Sequence, residues 1–195
     1  MPSFESAGYR VHTPTLLGHG AAPRRHRYQL NDFRDHLLGQ LDDLQGITVL
    51  GNSLGAFVAS TIAVAQPDRV ERLVLEELPV PPRDTTDSPP TVRAMPGAAL
   101  AVAGWLGRKK CDPRLLRDVV GELRQPRPDW WEGLAAVKAP TLLLAGGSKS
   151  HLDQSRFELV ADVLPNATLQ TIDAGHRVHT YAPEPWLRAV LTFLL

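Results

Sequence analysis

The chain has 195 residues, enough to bury the core of one domain and too few for two independent ones. Lysine plus arginine and aspartate plus glutamate both number 21, so the formal charge is zero; RRHR at 24–27 and RKK at 108–110 are too short to form a nucleic-acid or membrane-binding face. Cys111 is the only cysteine, which excludes an internal disulfide framework, and no leader or membrane-length apolar run is visible, so the expectation is a cytoplasmic protein with no nucleic-acid or membrane partner.

In chain order, five short apolar stretches bounded by turn formers read as buried strands: 9–16, 46–52, 70–77, 140–146 and 167–173. Helical patterns lie between and after them. NDFRDHLLGQLDDL (31–44) places Phe33, Leu37, Leu38, Leu41 and Leu44 on one face, with Asn31 or Asp32 able to cap its start. SLGAFVASTIAVAQ (53–66) is apolar nearly all round, and 153–164 and 183–195 are amphipathic. Strand alternating with helix predicts a mostly parallel sheet of about five strands with helices on both faces, and ligands in such sheets sit at the strands' carboxyl ends. The segment 79–128 breaks the alternation with prolines, arginines and short helical pieces such as PRLLRDVVGEL (113–123). It reads as a cap inserted after the third predicted strand into a single domain spanning 1–195.

VLGNSLGAF (49–57) turns a strand directly into a helix through GxSxG. Such a corner strains its central residue, and glycines at both flanking positions, Gly51 and Gly55, would relieve collisions across the turn. It lifts the Ser53 hydroxyl above the sheet and sets the Leu54 N–H at a helix start, where it can hold a developing oxyanion. The plainer alternative is that Ser53 is a helix N-cap between two turn glycines.

A serine nucleophile needs a base, and DAGHRVH (173–179) follows the last predicted strand. His176, just past Gly175, is the first choice and His179 the competitor. His12, His26, His36 and His151 have plainer places in a strand, a charged loop, a helix flank and a turn. The third member should be a carboxylate that orients the imidazole. Glu77 at the end of RLVLEE is preferred because it is the last strand residue, Glu76 has the opposite parity, and Asp153 follows GGSKSHL, where Lys149 and Ser150 occupy the commoner place for the acid. Ion pairing of these glutamates with Arg72 or Arg83 is the alternative role.

With these pieces in place the chain resembles the α/β-hydrolase superfamily, in its serine hydrolase branch. AGYRVHTPTLLGHG is similar to that family's fourth strand and following loop, VLGNSLGA to its nucleophile elbow, QPDRVERLVLEE to its sixth strand, APTLLLAGG to its seventh, and DAGHRVH to its histidine loop. The resemblance implies that His19 in GHG orders a loop near the site's mouth, and it supports Glu77. The chain lacks a counterpart to the family's three amino-terminal strands, including the loop that supplies a second oxyanion donor, so a truncated fold with impaired activity is expected. Either 9–16 pairs with 46–52, or a strand edge lies open.

The resulting expectation is a serine hydrolase that cleaves a carboxylic ester, thioester or lactone through an acyl-enzyme, using Ser53, His176, Glu77 and the Leu54 N–H. No cofactor or metal is called for, and Met95, Trp105 and Leu106 in the cap suit a small substrate with an apolar group. The alternative is a non-catalytic small-ligand-binding protein, or an inactive fragment, on the same scaffold.

Overall fold

The structure, a computed structural model, describes residues 2–41, 44–87 and 111–195. Four parallel strands lie in the order β1-β2-β3-β4: β1 (Ile47–Asn52), β2 (Val70–Glu76), β3 (Thr141–Ala145) and β4 (Ala167–Thr171). The register aligns their carboxyl ends. Asn52 is opposite Glu76, Glu76 opposite Leu144, and Ala145 opposite Thr171, so the four loops that follow open on one edge.

Helices cover both faces, as the alternating pattern predicts. They are α1 (Pro2–Ser6), α2 (Leu30–Leu41), α3 (Leu54–Ala65), α4 (Pro113–Leu123), α5 (Pro128–Leu134), α6 (Ser155–Val163), α7 (Val178–Tyr181) and α8 (Pro183–Leu194). Side chains alternate across a strand, so Leu73 and Leu75 of β2 join the core containing Phe33, Phe57, Ile62 and Trp130. Val74 faces the other way, with Leu142, Leu144, Val190 and Leu194. Helix α3 is buried from Ala56 to Ala63, which explains its all-round apolarity. Two polar groups are carried inward and both are satisfied: Thr61 donates to the Val58 carbonyl, and Ser60 donates to the Phe57 carbonyl and accepts from the Trp130 indole N–H at 2.9 Å, which ties α3 to α5.

Two expectations change. Residues 9–16 form no strand: Pro14 cannot donate to a ladder, 12–15 are exposed, and the sheet has four strands, not about five. Among the described residues β1 is therefore an open edge, with Leu50 39% exposed. Of the predicted cap 79–128, residues 88–110 lie outside the described residues, and with them Met95, Trp105, Leu106 and the RKK run. In the part described, Asp112 accepts from the Arg114 N–H and Pro113 opens α4, a start that PRLLRDVVGEL announces.

The second change concerns the corner between β1 and α3. A Cβ on Gly51 would lie 2.2 Å from the carbonyl carbon and oxygen of Gly55, whereas a Cβ on Gly55 meets nothing within 4 Å. The strand end and helix start touch through backbone on one side only. Gly51→Ala should therefore lower stability by about 2 kcal/mol or more, while Gly55→Ala stays within about 1 kcal/mol of the parent, as measured by urea unfolding.

Candidate active site

The sheet's carboxyl edge gathers the candidates from all four strands. Ser53 follows β1 and stands at φ 54°, ψ −122°, outside the regions that suit an ordinary side chain. Its N–H donates to the Glu76 carbonyl at 3.0 Å, which fixes it beside the end of β2. The hydroxyl makes no capping bond to α3, although the residue sits where an N-cap would. Leu54 opens α3, so its N–H belongs to the first turn, whose donors have no acceptor within the helix.

Glu77 follows β2 directly, at φ 49°. Among the described residues, Ser53 and Glu77 are the two non-glycine residues with positive φ. Such conformations cost on the order of 1–3 kcal/mol each and persist only where the surroundings enforce them. For Glu77 the enforcement is visible. Its N–H donates to the Leu144 carbonyl at 2.8 Å, and its carboxylate, 0% exposed, receives the Gly146 N–H at 2.5 Å, the Gln154 amide at 3.2 Å and the Ser150 hydroxyl.

The remaining partner of that carboxylate is His176, whose Nδ1 lies 3.1 Å from Oε2. An ionised carboxylate can only accept, so Nδ1 carries the proton and Nε2 is left with a free lone pair. The His176 carbonyl accepts from the Asn52 amide at 3.1 Å, which ties the histidine loop to the residue before Ser53. Burial pushes the Glu77 carboxyl up, but the hydrogen bonds from His176, Ser150, Gly146 and Gln154 outweigh it and leave the group below its ordinary value. Gly146 is needed here for close approach, since a Cβ on it would lie 2.4 Å from the Gly175 carbonyl oxygen and 2.8 Å from the Glu77 carboxylate.

The other candidates separate cleanly. Asp153 accepts from the N–H and hydroxyl of Ser155 at the start of α6. Glu76 is also fully buried, and it binds His179. Neither glutamate is paired with Arg72 or Arg83; the Arg83 guanidinium lies 4.5 Å above the Trp131 ring. His19 Nδ1 donates to the Leu17 carbonyl, and the residue bridges through its backbone to Cys111, joining its loop to the segment before α4. His36 bonds the Thr15 carbonyl, and His12 and His26 are exposed.

His151 is not in a bland turn. Its ring centroid lies 4.2 Å from that of His176, and burial, then the neighbouring His176, depress its imidazole. Sequence spacing gave no signal for this contact. For Ser150 a signal existed: it occupies the commoner place for the acid, and its hydroxyl grips the acid supplied by β2 instead. Among the described residues no group of three His, Cys, Asp or Glu side chains is placed to hold a metal ion, and no helix is long and apolar enough to cross a membrane.

Residues 1–189 match the family described as the alpha/beta hydrolase family. The mouse sn-1-specific diacylglycerol lipase ABHD11 is 27% identical over 225 aligned residues, covering 97% of this chain and 73% of that protein. The pimeloyl-[acyl-carrier protein] methyl ester esterase of Aromatoleum aromaticum is 29% identical, covering 91% of this chain and 84% of the esterase. The crystal structure of a bromoperoxidase from Bacillus anthracis shares the fold with a TM-score of 0.77 at 19% identity, covering 99% of this chain and 84% of that one.

Because the folded-state value of Glu77 lies below its ordinary 4.5, its contribution to stability is present above that pH and is lost as the pH falls through the depressed value. The unfolding free energy of the parent should therefore drop more steeply than that of Glu77→Gln between about pH 5 and about pH 3. Urea titrations of the two proteins at both pH values check this.

Proposed function

Because the chain belongs to the alpha/beta hydrolase family, we propose that it is a serine hydrolase cleaving a carboxylic ester, thioester or lactone through an acyl-enzyme. Ser53 Oγ attacks the carbonyl carbon while His176 Nε2 takes its proton. The imidazolium that forms keeps its Nδ1–H on the ionised Glu77, and the Leu54 N–H holds the oxyanion of the tetrahedral intermediate. Collapse breaks the bond to the leaving group, which receives the proton from His176. Water then attacks the acyl group with His176 again as base, and Ser53 is released with the carboxylic acid.

The observation that carries this reading is the Nδ1–Oε2 contact of 3.1 Å between His176 and a buried Glu77, on a loop tied to the residue before a strained Ser53. Among the described residues no hydrogen bond joins the Ser53 hydroxyl to His176, a looseness common in sites without substrate, where catalytic contacts tighten on binding. The names of the two relatives, a methyl ester esterase and a diacylglycerol lipase, support an ester as the substrate class. In this reading the Leu54 N–H is an oxyanion donor, an interaction whose loss typically costs on the order of a hundred- to a thousandfold in rate.

A fluorophosphonate probe should label the parent at Ser53 and leave Ser53→Ala unlabelled. With a p-nitrophenyl ester, Glu77→Gln should lower kcat by about 10²- to 10⁴-fold, whereas Asp153→Asn stays within a few-fold of the parent. A folded parent that takes no label contradicts the assignment of a working nucleophile. A larger loss for Asp153→Asn moves the orienting acid to Asp153.

A further inference from the structure

Two consecutive glutamates hold two histidines three residues apart. Glu77 binds His176, and Glu76 takes three contacts from His179: ring Nδ1 to Oε1 at 2.8 Å and to Oε2 at 2.9 Å, and the backbone N–H to Oε1 at 3.2 Å. Glu76 shares its strand parity with Val74, so its side chain lies on the sheet face covered by α8. There the His179 ring meets Trp186 edge-on at 6.1 Å, and Trp186 in turn meets Phe4.

The side chain of Glu76 is 1% exposed. A buried carboxylate is expensive, and every partner found for this one belongs to His179. Helix α7 has only four residues, too short to hold its own shape, and His179 lies within it. Glu76 supplies what propensity does not: it takes the backbone N–H and the ring of the same residue, so that both the place of the turn and the rotamer of His179 are set.

We propose that the Glu76–His179 pair is a positioning device for His176, a second brace on the far end of the histidine loop. It rests on the reading of His176 as the base. The loop from 176 to 179 is then stapled at both ends, to the last residue of β2 and to the residue directly after it, and their adjacency in the chain sets the separation of the staples. Glu77 holds the ring by one hydrogen bond, at Nδ1, and the Asn52 amide holds only the His176 carbonyl, so the imidazole can still pivot, and a displacement of about 1 Å at a reacting group costs on the order of a hundredfold. His179 touches neither substrate nor Ser53 in this scheme; it acts through the loop.

The test uses the full chain with three variants. His179→Phe keeps a ring against Trp186 and removes the ring donors. His179→Asn returns one side-chain donor near the Nδ1 position, and Glu76→Gln keeps the shape while removing the charge. Expected for His179→Phe is a kcat for a p-nitrophenyl ester, and a rate of fluorophosphonate labelling, lower by about 10- to 100-fold with KM nearly unchanged. His179→Asn should recover most of the loss.

A readout without turnover accompanies these rates: in a Ser53→Ala background, the downfield Nδ1–H proton resonance of His176 should be sharp in the parent, broadened or shifted with His179→Phe, and restored with His179→Asn. Folded His179→Phe with parental rates and an unchanged resonance overturns the proposal. Should His179→Phe fail to fold, Glu76→Gln carries the same comparison, and a parental rate and resonance there overturn it equally. A parent that takes no probe defeats the hydrolase reading, while the resonance still decides whether the brace exists.

Discussion

A carboxylate buried at the end of β2 is the constraint on which the rest of this structure depends. Unpaired, the Glu77 charge would cost several kcal/mol, so the chain must bring donors to it from elsewhere. They come from both flanking loops: Gly146, Ser150 and Gln154 after β3, and His176 after β4. Satisfying one charge therefore locks two loops against the sheet. The bond from His176 that helps keep Glu77 ionised also fixes which ring nitrogen of His176 faces the carboxylate, so one contact serves both the burial of the charge and the placing of the imidazole.

The strain in the backbone belongs to the same arrangement. Ser53 and Glu77 take positive φ at the ends of adjacent strands, each held by a bond to its neighbour: Ser53 to the Glu76 carbonyl and Glu77 to the Leu144 carbonyl. Parallel register makes this possible by ending β1, β2 and β3 level with one another. Glycine enters where backbones meet, at Gly51 against α3 and at Gly146 against the histidine loop. The open edge of β1 lies next to these features without supplying any of them, since each bond named here comes from the β2, β3 or β4 side or from the β1–α3 corner itself.

Much of this was legible in the residues. Apolar runs located all four strands, GxSxG sits at the β1–α3 corner and the late His176 lies against Glu77, but β2 ends at Glu76 and Glu77 follows it at φ 49°, so strand parity is not what aims the Glu77 carboxylate. The failures are of a different kind. Residues 9–16 have strand-like composition, but a strand exists only with a partner, and Pro14 weakens any ladder there. Symmetric glycines in GxSxG suggested symmetric crowding, while packing is one-sided at Gly51. Glu76 and His179 were each second choices for roles in one triad, and the structure pairs them with each other; one-dimensional spacing ranks candidates but does not assign partners across a sheet. Contacts between loops, such as His151 on His176, leave no periodic trace at all.

Convergence of Ser53 and His176 on one reacting carbonyl is tested most directly by a crystal structure of the fluorophosphonate-treated protein. The expected result is phosphorus bonded to Ser53 Oγ, a phosphonyl oxygen within hydrogen-bond reach of the Leu54 N–H, and His176 Nε2 about 3 Å from the serine oxygen or the departed group's position. An adduct on another residue, or an imidazole turned away from the modified serine while still bound to Glu77, would contradict it.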